Sequence, residues 1–179
     1  MKLNKAMLIL AAAGLLTSAA SYAADTTATT SGPQEATATL NVSGGGISIS
    51  NDLRPTSELI SGHTYSASDI VAMGIVTSNG GKFSAMTLKW DRALNPIATT
   101  GDPSTSVLRS VDGKHQAEVR IMMDKSPTDK EDMDVGNDLV RYRFAPETQA
   151  AYQVEVLNDG ETFAPGNYKL GVIADAFAA

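Results

Sequence analysis

The sequence contains no cysteine. Disulfide bridges, thiol nucleophiles and thiolate metal sites are therefore excluded. Histidine is nearly as scarce: His63 and His115 stand alone, and neither falls in a ligand spacing such as HExxH. Serines and aspartates are plentiful, but no Gly-x-Ser-x-Gly elbow occurs. An enzyme is not expected, nor is any cofactor or metal. Aromatic residues make up 6% of the chain, and they fall at alternating strand positions, which reads as core rather than as a sugar-stacking platform. No stretch keeps a helical period over several turns, and no apolar run reaches membrane-spanning length.

The one apolar run of note follows a basic start. Met1-Lys2-Leu3-Asn4-Lys5 precedes Ala6 to Leu16, and small residues then lead to Ser21 and Ala23. This is the three-part pattern of a secretory leader, residues 1–23, cleaved before Ala24. The 14 basic residues less Lys2 and Lys5 leave 12 against 20 acidic ones, a net charge of −8. So acidic a surface argues against nucleic acid or anionic lipid as a partner. About 155 residues remain, enough for one domain with its own core.

Residues 24–46 are rich in Thr, Ala, Ser and Gly and too poor in bulk to order alone. Within them Ala36, Ala38, Leu40 and Val42 alternate with Thr37, Thr39 and Asn41, a strand pattern, and Ser43-Gly44-Gly45-Gly46 forms a flexible joint. Asn41-Val42-Ser43 is formally a glycosylation triplet, read here as chance.

From residue 47 to 179 the pattern is strand after strand. Ile47 to Ser50 reads as a short first strand closed by Asn51-Asp52 and Pro55. Ile70 to Thr77 is apolar on both faces and reads as buried on both. Phe83 to Trp90 places Met86, Leu88 and Trp90 on one face. Val107 to Val111 and Lys114 to Met123 flank Asp112-Gly113, a hairpin signal. Lys125 to Asp138 is rich in acids and reads as a solvated loop. Asp132-Met133-Asp134 starts like a calcium loop, but Gly136 comes one place early and Arg143 stands where the bidentate Glu belongs. Leu139 to Phe144 and then Tyr152, Val154 and Val156 supply two further strands. Many short strands between turn signals predict an all-β sandwich.

The last stretch organises the rest. Ala164-Pro165-Gly166 launches a strand in which Tyr168, Leu170, Val172, Ala174 and Ala176 share one face, with Ile173 and Phe177 on the other. A strand apolar on both faces belongs inside a sheet, covered on each side. No later segment follows to lie beside it, so a strand from elsewhere is expected there.

Three stretches carry a resemblance. Ala36-Thr37-Ala38-Thr39-Leu40 is similar to the donor segment of the plague capsular fibre subunit. Ala164-Pro165-Gly166-Asn167-Tyr168 is similar to the opening of the final strand in many pilins. Val111-Asp112-Gly113-Lys114-His115 with Glu118-Val119-Arg120 is similar to a hairpin of invasin-type tip subunits of afimbrial adhesins. The chain thus resembles the subunits of chaperone–usher fimbriae. That resemblance implies an incomplete immunoglobulin-like β-sandwich with an N-terminal donor strand. It also implies export through the periplasm to the cell surface. The implied partners are a periplasmic chaperone, an outer-membrane usher, neighbouring copies or related pilins, and a host receptor. Ala36, Ala38, Leu40 and Val42 would be the donor residues, and Tyr168, Leu170, Val172 and Ala174 would line the acceptor groove. Two features depart from the invasin type: the disulfide is missing, and an N-terminal extension is present. The alternative is a self-contained secreted binding domain whose N-terminal segment folds back on its own last strand, or a biofilm-matrix protein.

Overall fold

Alternation of inward apolar and outward polar side chains produces thirteen strands and no helix among the described residues. The computed structural model describes residues 32–39, 42–43, 47–56, 60–123 and 129–179; of 32–39 and 42–43 only the backbone is described. The expected leader, Leu40 and Gly44 to Gly46 lie outside these residues. In chain order the strands are β1 Gly32–Thr39, β2 Val42–Ser43, β3 Ile47–Pro55, β4 Thr64–Tyr65, β5 Ile70–Ser78, β6 Phe83–Trp90 and β7 Thr105–Arg109. There follow β8 Gln116–Met123, β9 Lys130–Asp134, β10 Leu139–Glu147, β11 Gln149–Val156, β12 Glu161–Thr162 and β13 Asn167–Ala178.

They form one sheet in the order β1-β13-β6-β10-β9, a second in the order β2-β3-β5-β11-β8-β7, and the small pair β12-β4. Every named strand pair is antiparallel except β1 with β13, which is parallel. The two large sheets share one core. Met86, Leu88, Trp90, Val140, Tyr142, Tyr168, Leu170 and Val172 meet Ile49, Leu53, Val71, Val76, Val119, Ile121, Tyr152 and Val154 across it. Each such aliphatic side chain, fully buried, contributes roughly 1.5–3 kcal/mol. Trp90 is anchored as well as buried, its indole N–H donating to the Ser104 carbonyl at 3.0 Å.

Several expectations need correcting. The first strand does not stop at Asn51-Asp52; β3 continues to Pro55 with Ile47, Ile49, Asn51 and Leu53 all facing inward. Asn51 is tolerated there because both ends of its amide are hydrogen-bonded in the core. Ile70 to Thr77 is not covered on both faces. Ile70, Met73 and Ile75 are 38%, 50% and 38% exposed on the outer face of β5, although β3 and β11 flank that strand in the sheet. They line an open groove of about 1040 Å³ with Arg54, Ile60 and Tyr65. β13 likewise lies inside a sheet, yet its outer face is open at Phe177, 43% exposed. The acidic stretch is not simply a loop: Lys130 to Asp134 forms the outermost strand of the first sheet, with Asp132 bonded to Arg143 of β10 at 2.8 Å. The hairpin around Asp112-Gly113 has a six-residue connection rather than a tight one. Gly113 takes φ +72°, and the Ser110 N–H donates to His115 O to close the loop.

Candidate functional site

The core face of β13 presents Tyr168, Leu170, Val172, Ala174 and Ala176, all buried. Its two edges are treated differently. Along one edge the partners among the described residues belong to segments beyond residue 47. The Val111 N–H donates to Asn167 O at 2.7 Å, the Asn95 side chain takes Lys169 and Gly171, and β6 pairs with Val172 to Ala178. Asn95 acts as a piece of strand made from a side chain. Its amide donates to Lys169 O at 2.9 Å while its oxygen accepts from Gly171 N–H at 2.7 Å, so the ladder continues where β6 has ended. Arg92 holds this connection in place. It donates to both oxygens of Asp138, at 2.6 and 2.7 Å, and to Ser106 Oγ at 3.2 Å.

Main-chain groups alternate sides along a strand. Those of residues 167, 169 and 171 point to the filled edge, so those of Tyr168, Leu170, Val172 and Ala174 point to the other. On that second edge lies β1. Its register opposes Pro33 to Tyr168, Ala36 to Leu170, Ala38 to Val172 and Thr39 to Ile173. Two of the four expected donor residues are thereby brought opposite two of the four expected groove residues. Val42 goes elsewhere: it pairs with Ser48 of β3, in the second sheet. Leu40 lies outside the described residues. Beyond β1 stands β3, so β1 occupies the seam between the two sheets.

Asn51 crosses that seam. Its Nδ2 donates to Val172 O at 3.0 Å, and its Oδ1 accepts from the Tyr152 hydroxyl at 2.9 Å. The chain β11–β3–β13 ties one sheet to the other beneath the edge. Tyr152 reaches Asn51 only because its ring lies flat over Gly74, its cross-strand partner; a Cβ there would stand 2.0 Å from Tyr152 Cζ. Burial pushes the Tyr152 hydroxyl well above its ordinary range, so it stays a donor. Sequence reading missed Asn51, whose only signal is its place in the Ile47, Ile49, Leu53 alternation.

The start of β13 is closed by aromatic rings. Tyr168 meets Phe163 edge-on at 5.7 Å, Phe163 meets Tyr65 at 5.4 Å, and Tyr65 meets His63 at 4.9 Å. The Tyr168 hydroxyl donates to Ala164 O at 3.0 Å, and burial raises its pKa. Among the described residues no cluster of three or more His, Cys, Asp or Glu is placed to hold a metal. His115 is exposed beside the 110–115 turn.

No family model and no curated protein matches the sequence. Solved structures do. The chain is similar to the minor tip subunit HdaB of the E. coli Hda pilus, with 16% identity and TM-score 0.57, over 75% of this chain and 85% of that one. It is similar to the Salmonella SafD adhesin, with 18% identity and TM-score 0.58, over 73% and 88% of the two chains. It is also similar to AggB, the minor subunit of E. coli aggregative adherence fimbriae type I, with 15% identity and TM-score 0.53, over 72% and 85%. The fold that the chain shares with these fimbrial and adhesin subunits is thus an all-β, immunoglobulin-like sandwich.

Proposed function

We propose that this protein is a structural or adhesive subunit of a bacterial surface fibre, assembled by donor-strand exchange through a chaperone–usher pathway. Ala36, Ala38, Leu40 and Val42 of one copy enter the groove of the next, beside Tyr168, Leu170, Val172 and Ala174. A periplasmic chaperone holds the edge first, an outer-membrane usher passes the subunit on, and the fibre stands at the cell surface. Its role is non-catalytic.

One observation carries the reading. The second edge of β13 pairs with residues that precede Gly46, while the partners described on its other edge follow Ile47. A domain built this way depends on an N-terminal segment, and such a segment is transferable because its side chains are small and its joint is Gly-rich. The likeness in fold to pilus minor subunits points the same way. Leu40 and Val42 each contribute about 1.5–3 kcal/mol on full burial, Ala36 and Ala38 about 0.8 kcal/mol each, and the main-chain ladder about 0.5–1.5 kcal/mol per net bond.

The test is Leu40→Arg. Fibres are lost while the complex with the co-expressed chaperone survives; fibres of normal length in that variant would refute the assignment. The pairing of β1 with β13 of its own chain favours a second reading, a self-contained secreted β-sandwich binding domain. Sizing the protein purified without chaperone separates the two: a ladder of oligomers supports exchange, and a monomer that never exchanges supports self-closure.

A further inference from the structure

β1 runs parallel to β13 of its own chain, and the length of the connection enforces that direction. Val42 and Ser43 pair with Ser48 and Ile47, so the chain turns back into β3 directly after β1. β3 begins at the end of the sandwich where β13 finishes. Ile47 lies beside Gly81, Ala178 registers with Phe83, and the Ala179 N–H donates to Lys82 O. Thr39 stands opposite Ile173, already close to that end, so the seven intervening positions have only a short gap to cover before Ile47. The reverse arrangement over the same window would put Thr39 opposite Asn167. Its path to Ile47 would then span the length of β13, roughly 36 Å at about 3.3 Å per residue. Eight Cα steps reach at most about 29 Å.

We propose that residues 32–39 are a built-in cap. They seal the β13 edge of their own chain, in the parallel direction alone, and hold an isolated copy in a closed form that must open before a segment from a second copy enters. This deepens the assembly reading above and rests on it. The cap is weakest where it starts. Pro33, opposite Tyr168, has no N–H to give, and the register slips between Pro33 and Glu35. Opening therefore begins at the Tyr168 end and proceeds toward Val172.

The absence of native cysteine makes the test clean. Two double variants of the full chain, purified without added partner, are oxidised and sized under non-reducing conditions. In Thr39→Cys/Ile173→Cys the parallel cap yields a disulfide within one chain, and the locked protein stays monomeric until reduced. In Pro33→Cys/Ile173→Cys, which reports the reverse direction, no intrachain disulfide forms. Intrachain linkage in the reversed pair overturns the cap, as does its absence in both pairs while the protein remains folded and monomeric. Should Ile173→Cys impair folding, spin labels at Thr39 with Asp175 and at Thr39 with Lys169 replace it. The first distance is the shorter if the cap is parallel, and the longer if the cap is wrong. Linkage found only between copies removes the cap and leaves exchange standing. A locked monomer that never oligomerises after reduction keeps the cap and removes the fibre.

Discussion

The amide of Asn51 donates to the main-chain oxygen of Val172 across the seam between the two sheets, at 3.0 Å and wholly inside the protein. A short polar side chain thus reaches that carbonyl on the same edge along which β1 pairs. The same amide is oriented from behind by the Tyr152 hydroxyl. Asn51→Ala leaves two buried groups short of a partner, at about 1–3 kcal/mol for each such group. The expected loss is about 2–6 kcal/mol, read as a lowered denaturant midpoint with unchanged slope. Tyr152→Phe keeps the ring over Gly74 and loses only one bond, so it costs about 1 kcal/mol.

Gly74→Ala tests the same tie from the other side. Its new methyl meets the Tyr152 ring at 2.0 Å, and that ring is hemmed in by the core. Overpacking of this kind costs about 1–3 kcal/mol. In a Tyr152→Ala background the added methyl costs far less. Strong coupling between the two sites in a double-mutant cycle is the expected result, and simple additivity would contradict it.

Glu155 is 4% exposed and its Oε2 accepts two bonds from Arg120, at 2.9 and 3.1 Å, while Oε1 accepts from Gln153 at 2.6 Å. Removing the cation strands a carboxylate in β11. Arg120→Ala lowers stability by about 2–3 kcal/mol, less than the 3–5 kcal/mol of a fully enclosed pair because Arg120 is partly solvated. The double variant Arg120→Ala/Glu155→Gln regains much of the loss in thermal unfolding.

Acid sensitivity follows from Glu118. The Thr99 N–H donates to Oε1 at 3.0 Å and Asn158 Nδ2 donates to Oε2 at 3.0 Å, with Thr99 the main cause of a pKa held below the ordinary 4.5. A carboxylate depressed in the folded state adds stability above its unfolded pKa and loses it as pH falls through the folded value. Stability therefore starts to decline below about pH 4.5. Asp112, held down by the Ser110 hydroxyl and the Lys114 N–H, adds to the same decline, whereas Glu147, raised by burial and by Asp129, opposes it. In Glu118→Gln the fall in melting temperature between pH ~6 and pH ~3.5 is smaller than in the parent.

Much of the fold is legible in the period of two. Met86, Leu88 and Trp90, then Tyr168, Leu170, Val172 and Ala174, are grouped on one face of their strands by alternation alone, and all are buried. Alternation fails where polar residues are buried for distant reasons. Asn51 looks like a turn because the hydroxyl that satisfies it lies 101 residues away. Lys130 to Asp134 looks like a loop because acids crowd it, yet Arg143 and the backbone of β10 hold it as a strand. Periodicity is also blind to direction. It marks Ala36 and Ala38 as strand residues, but the parallel sense comes from the Val42–Ser48 pairing, which no local pattern reveals.

The sheet that carries β13 has two unlike rims. At the far rim β9 displays Lys130, Glu131, Asp132 and Asp134 in five residues, charge that discourages any foreign chain from zippering on. At the near rim β13 is covered by β1 of its own chain, whereas the far rim is guarded by charge alone. Side-by-side clumping through β9 is penalised by that charge, so this rim needs no covering strand to stay single.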